Sequence, residues 1–188
     1  ELIEDNEIND DTIGWITIAG TSIDYPIVQA SDNSYYLTHD CNDNKSKYGS
    51  IFMDYHNASD FSDKHTILYG HNMKNGSMFH DLNEYSSHNF FDEHTYIKVY
   101  SQDVYRKWVI FSTYSTEPDF NYLQTEFDSP EEYSTFLDAI LSHSEISNEN
   151  VQVTAEDKIL TLSTCSDDFG NRRRVVHAKL VEEVIDGE

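Results

Sequence analysis

Cysteine is scarce. The 188 residues hold only two, Cys41 and Cys165, too few for a disulfide-stapled scaffold and short of what a four-cysteine zinc site needs. Stability must therefore come from a hydrophobic core. Long apolar runs are also missing: no stretch approaches the roughly twenty residues that cross a bilayer as a helix. Because the chain starts at Glu1 rather than Met, any targeting or anchoring segment is expected to have been trimmed from its front. Basic residues are outnumbered 12 to 35 by acidic ones, for a formal net charge of −23. A field of that sign repels nucleic-acid phosphates and anionic lipid headgroups, which argues against DNA or RNA as a partner. The acidic residues lack the spacing of a calcium loop, so they are taken as solubilising, and neither a metal nor a cofactor is expected. Internal repeats and low-complexity linkers are absent as well.

What the chain does have is apolar and aromatic surface: 38% hydrophobic residues, with 13 Tyr and 10 Phe. That suits one domain built mainly from strands. Residues 1–13 are expected to be an acidic arm or helix, with the domain proper at 14–188. Trp15 to Ile18 and Ile23 to Val28, separated by Gly20, Thr21 and Ser22, form a hairpin signal, and Pro26 puts the second run near an edge or bulge. Further strand patterns occur at 49–53, 66–69, 96–99, 105–113, 159–164 and 173–181. In the 105–113 run simple alternation puts Trp108, Ile110 and Ser112 on one face and Val109, Phe111 and Thr113 on the other, both largely apolar, so this strand is expected to be buried. One helix is well marked. Ser129 is placed to cap it, Pro130 to start it and Glu132 to favour its first turn, ahead of Tyr133, Phe136, Leu137, Ile140 and Leu141 at helical spacing. Many short strands with one long helix predict a closed β-barrel with peripheral helices.

Cys165 ends the apolar run ILTLSTC (159–165) and meets the polar loop SDDFGN (166–171). A thiol at a strand end is placed for access, although a lone cysteine is more often a small core residue. With a free thiol pKa of about 8.5, nucleophilicity at neutral pH needs a base or a positive charge nearby. Of nine histidines, His39, His56, His65, His80, His88, His94 and His143 have polar neighbours and are expected at the surface. His177, inside an apolar strand, reads as a satisfied wall histidine. His71 differs: it follows TILYG (66–70) where another strand gives way to a loop. Arg172, Arg173 and Arg174 open the last strand, and a guanidinium is suited to hold a carbonyl oxygen as charge builds on it. Alternation sends Arg173, Val175 and His177 to one face and Arg174 to the other, so only one of that pair can enter a site. The competing account is a surface cluster paired with Asp167 and Asp168.

With these residues in view, the chain resembles the sortases, thiol transpeptidases of Gram-positive cell surfaces. TLSTC (161–165) is similar to the family's Leu, variable, Thr, Cys signature. YGHN (69–72) resembles its histidine motif, and RRVVHAK (173–179) its arginine strand, in the family's order. The helix at about 130–143 between the sixth and seventh strands, and NYLQTEF (121–127) before it, resemble class B. The resemblance implies an eight-stranded barrel with peripheral helices. It also implies Cys165 as nucleophile, His71 as acid and base, and Arg173 as oxyanion stabiliser, five positions before Ala178 as in the family, with Arg174 the alternative. Asn33, Leu37, Tyr122, Leu123, Ser163 and Thr164 fall where class B members line the sorting-signal groove.

The activity implied is cleavage of a surface protein's C-terminal sorting signal at Thr, through a thioacyl enzyme, and transfer to an amine of a peptidoglycan precursor or cross-bridge. The implied setting is the outer face of the plasma membrane, held by an anchor preceding this chain, and a monomer is expected. Three alternatives stand beside it: a cysteine hydrolase that passes the acyl group to water, a barrel that binds peptide or cell wall without turnover, and a Cys41–Cys165 disulfide.

Overall fold

The computed structural model describes residues 9–165 and 171–186. The acidic arm expected over 1–13 lies, for residues 1–8, outside the described residues, as do Asp167 and Asp168. Among the described residues the chain runs β1 (Thr12–Thr17), β2 (Asp24–Val28), β3 (Ile51–Met53), β4 (His65–His71), α1 (His88–Glu93), β5 (Tyr96–Ser101), β6 (Val104–Thr116), α2 (Pro130–Ser142), β7 (Ile146–Ser147), β8 (Ile159–Cys165) and β9 (Arg173–Ile185). The first strand thus starts two residues ahead of the expected domain start at Gly14. Short 3₁₀ turns at Tyr35–Leu37 and His80–Ser86 complete the set; these and α1 had no marked signal in the sequence.

Strand order is β5-β1-β2-β3-β4-β8-β9-β6, and β5 also pairs with β6, so eight strands close into a barrel. The two-residue β7 is added outside this ring, on β6. Closure leaves no continuous edge to template aggregation. Most neighbours are antiparallel, but β2 with β3 and β4 with β8 are parallel. Pro26 sits where its missing N–H is tolerated: β2 pairs with β3 only through Ile27 and Val28, beyond the proline.

The barrel interior is filled by Ile16, Leu68, Trp108, Ile110, Leu160, Leu162 and Val176, all fully buried. Each such aliphatic side chain contributes about 2 kcal/mol of transfer free energy. A second cluster lies outside the barrel wall, where α2 lays Tyr133, Phe136, Leu137 and Ile140 on Phe111, Tyr114, Ile159 and Val175. The start of α2 is as the sequence predicts: Ser129 Oγ accepts from Glu132 N at 3.2 Å and Pro130 occupies the first turn.

Simple alternation does not survive the length of β6. The pairing with β9 slips between Ile110 and Ser112, a bulge at Phe111. Trp108 and Ile110 face the interior, Phe111 and Tyr114 the α2 cluster, and Thr113 pairs with inward-facing Val176. The extra residue resets the phase, so Ser112 and Thr113 exchange the faces that period-two counting assigns them.

Candidate active site

Two parallel strands and one antiparallel strand build the site. Along β4, Leu68 points into the barrel while Ile67 and Tyr69 face outward into a third apolar cluster that includes Cys165. The parallel register of β4 and β8 pairs Tyr69 with Ser163 and His71 with Cys165. Registered residues on adjacent strands share a face, with the strands about 4.8 Å apart, so His71 and Cys165 stand side by side on the outer wall at the ends of their strands.

On the other flank, β8 pairs antiparallel with β9 through Ser163 and Val175. Continuing that register by two residues brings Arg173 opposite Cys165, on the same outward face as Val175. The sulfur, imidazole and guanidinium therefore come from three neighbouring strands at one level. Cys165 is 8% exposed and His71 7%.

A cavity of about 270 Å³ opens over Cys165 and Arg173, lined also by Asn33, Leu37, Phe52, Tyr69 and Leu123. One wall is the long connection between the parallel strands β2 and β3, whose 3₁₀ turn at Tyr35–Leu37 brings Leu37 over the site. Here the Leu37 carbonyl accepts from His71 Nε2 at 2.7 Å, which fixes one ring nitrogen. Gly49 lets this connection lie close: its φ is +59°, and a Cβ there would meet Tyr36 O at 2.4 Å and His71 Cδ2 at 3.0 Å. The opposite wall is the segment before α2 that carries Tyr122 and Leu123.

Asp54 organises the floor. It accepts from Asn33 Nδ2 at 2.9 Å, Tyr69 OH at 2.8 Å and the His56 backbone N at 3.0 Å. Burial works against its charge, but these bonds and the His56 ring outweigh burial and hold the carboxyl below its ordinary range. Burial likewise pushes the Tyr69 and Tyr122 phenols up, so both stay protonated donors.

The adjacent arginines have different surroundings. Arg173 lines the cavity, and its Nε is buried with no hydrogen-bond partner among the described residues. Arg174 Nη1 pairs instead with Glu145 Oε2 at 2.7 Å, and its backbone N donates to Thr164 Oγ1 at 2.9 Å. Arg172 pairs with Glu117 at 3.2 Å.

Of the predicted groove residues, Asn33, Leu37 and Leu123 line the cavity. Tyr122 and Ser163 lie buried beside it, joined by an OH to Oγ bond of 2.9 Å. Thr164 is buried, on the opposite side of β8 from Cys165 and Ser163. Phe52, Tyr69 and Asp54 were missed. Phe52 and Tyr69 sit in strands that read as ordinary core, and nothing local marks Asp54 as an organiser of distant loops. Neither Cys41 nor Cys165 is in a disulfide, so the disulfide alternative is not realised. Among the described residues no cluster of His, Cys, Asp and Glu could hold a metal.

Residues 16–181 match the family model described as Sortase domain. The chain belongs to the sortase family. It is similar to sortase B of Listeria monocytogenes, 43% identical over 183 residues covering 96% of this chain and 74% of that protein. Against sortase B of Staphylococcus aureus it is 38% identical over 178 residues, 94% of this chain and 72% of that one. The solved S. aureus sortase B–substrate complex superposes with a TM-score of 0.88 at 37% identity, over 94% of this chain and 82% of that one. The sortase barrel is therefore common to all three, and the expected class B likeness holds over nearly the whole chain. This sortase is a cysteine transpeptidase that cleaves sorting signals and anchors surface proteins, and its family acts at the Gram-positive cell surface. No helix among the described residues is long and apolar enough to cross a membrane.

Proposed function

We propose that Cys165 is the nucleophile of this sortase, His71 its acid and base, and Arg173 its oxyanion stabiliser. The observation that supports this most directly is the common level and face of the three positions on β4, β8 and β9. The sorting pentapeptide, with Pro second and Thr fourth, lies in the 270 Å³ groove against Asn33, Leu37 and Leu123. Tyr122 and Ser163, bonded to each other beside it, shape that groove, whereas Thr164 faces the other side of β8 and bonds the Arg174 backbone N.

His71 takes the proton of the Cys165 thiol, and the resulting thiolate attacks the Thr carbonyl carbon. The carbonyl oxygen becomes an oxyanion held by Arg173, whose buried Nε–H is a ready donor. Because the Leu37 carbonyl takes the Nε2 hydrogen of His71, Nδ1 is the nitrogen that exchanges protons. As the C–N bond breaks, the imidazolium gives its proton to the leaving amine and a thioester remains on Cys165. An amine of a peptidoglycan precursor or cross-bridge then attacks the thioester. His71 takes its proton, a new amide forms and Cys165 departs as thiolate. The enzyme works as a monomer at the outer face of the plasma membrane, held there by an anchor N-terminal to this chain.

The test is Cys165→Ala with a fluorogenic sorting peptide. Cleavage is expected to fall to background, and a thioacyl adduct seen by mass spectrometry in the wild type is expected to vanish. Unaltered cleavage by the variant would overturn the assignment.

A further inference from the structure

On the outer wall of the barrel, in the layer under α2, three polar side chains with no part in the chemistry above are fully buried: His65, Thr161 and His177. Together with Tyr114 they form an unbroken row. Tyr114 OH is 2.7 Å from His177 Nε2, His177 Nδ1 is 2.7 Å from Thr161 Oγ1, and Thr161 Oγ1 is 2.6 Å from His65 Nε2. The row ends where His65 Nδ1 lies 2.6 Å from the main-chain carbonyl of Gln124.

The direction of every bond follows from that last group. A carbonyl only accepts, so His65 Nδ1 carries the hydrogen. Burial lowers the pKa of His65 to about 4 and that of His177 well below its ordinary value, so both rings are neutral. His65 Nε2 must then accept, Thr161 must donate to it, His177 Nδ1 must donate to Thr161, and Tyr114 must donate to His177 Nε2. Each ring nitrogen and the Thr161 hydroxyl has its partner, the condition under which a buried polar row is tolerated.

What the row reaches is the groove wall. Residues 121–127 form neither helix nor strand, so no ladder holds their backbone. The described backbone bond of Tyr122 is local, to Phe120 O at 3.0 Å. Leu123, which lines the cavity, immediately precedes the anchored Gln124 carbonyl. Apolar packing alone would permit this segment to slide, whereas a hydrogen bond to a main-chain carbonyl sets both distance and orientation. The Tyr122–Ser163 bond is a second tie, from the same segment to β8.

We propose that the row Tyr114–His177–Thr161–His65 positions the 122–124 wall of the sorting-peptide groove, so that His65 and Thr161 are positioning residues for peptide binding. This rests on the proposed groove and on Leu123 as part of its wall. The geometry ties peptide affinity to side chains that the peptide does not touch.

Thr161→Val keeps the side-chain shape and deletes the hydroxyl at the middle of the row. With a fluorogenic pentapeptide carrying Pro second and Thr fourth, KM is expected to rise roughly tenfold while kcat holds. Alkylation of Cys165 by iodoacetamide is expected to keep its rate, and Thr161→Ser to bring KM back. His65→Phe leaves a ring against Phe136 but no donor for the Gln124 carbonyl; it should give the same rise in KM and decides the matter if Thr161→Val does not fold. An unchanged KM in either folded variant, or Thr161→Ser as impaired as Thr161→Val, overturns the positioning role. Cys165→Ala in the same series separates the two claims. Turnover that survives it refutes the catalytic assignment, whereas turnover lost there with KM indifferent to Thr161 and His65 refutes only the positioning role.

Discussion

Arg173 and Arg174 are neighbours on β9 with opposite surroundings: a buried, unpartnered Nε beside the cavity for one, an ion pair with Glu145 for the other. Deleting a donor that acts on the oxyanion costs about 100- to 1,000-fold in kcat, so Arg173→Ala is expected to fall in that range. Arg174→Ala loses a partly exposed ion pair, a contribution of about 1 kcal/mol or less, and should stay within a few-fold of wild-type activity. Steady-state kinetics on the two variants decide between them; the reverse ranking would move the oxyanion role to Arg174. Gly49 is another position on which the site depends. Its φ is +59°, and an added Cβ would come within 3.0 Å of Tyr36 O, Leu37 O and the His71 ring, so Gly49→Ala is expected to cost about 1–3 kcal/mol of stability. It should also depress peptide cleavage by displacing His71, which thermal melts and a cleavage assay will show together.

At the scale of elements, α2 acts through its apolar face and its first turn. Ser129→Ala removes the Oγ acceptor of Glu132 N, for an expected loss of about 1 kcal/mol. In a chain of this size that lowers Tm by roughly 2–4 °C. Because the cap is remote from Cys165, thiol alkylation should be unaffected, and a slowed alkylation would show that α2 is coupled to the site more tightly than its packing implies. The sequence-level account of α2 was complete because cap, proline and apolar spacing are all local signals. For β6 it was not: the bulge at Phe111 depends on matching a partner 60-odd positions away, which no local period records.

Across the whole molecule, the buried histidines couple stability to pH. In the unfolded chain a histidine protonates near 6.5, whereas folded His65 does so only near about 4. Between those values the unfolded state binds more protons, so stability falls as the pH is lowered from 6.5 towards 4. Between pH 6.5 and 5 the loss is on the order of 2 kcal/mol for such a ring, and His177 acts in the same direction. Urea titrations at pH 7 and pH 5 measure it, and a flat profile would mean that the rings gain protons without unfolding. The carboxyls held low, such as Asp54 and Glu145, behave differently. Their stabilisation is present above the ordinary carboxylate range and is lost only as pH falls through their depressed folded values.

Composition and local pattern alone determined that this is a β-rich domain with one capped helix, and the three short motifs around His71, Cys165 and Arg173 carried the family. These features are legible because turns, caps and period-two runs are decided by residues close along the chain. Only the tertiary structure decided the rest. The parallel pairing of β4 with β8 brings His71 beside Cys165 across more than ninety residues, and strand register selects which arginine shares their face. His65 is the clearest case: polar neighbours in sequence predict a surface ring, yet it is fully buried. Its hydrogen-bond donor and acceptor arrive from Thr161 and Gln124 respectively, and burial of a polar group is settled by partners that folding supplies.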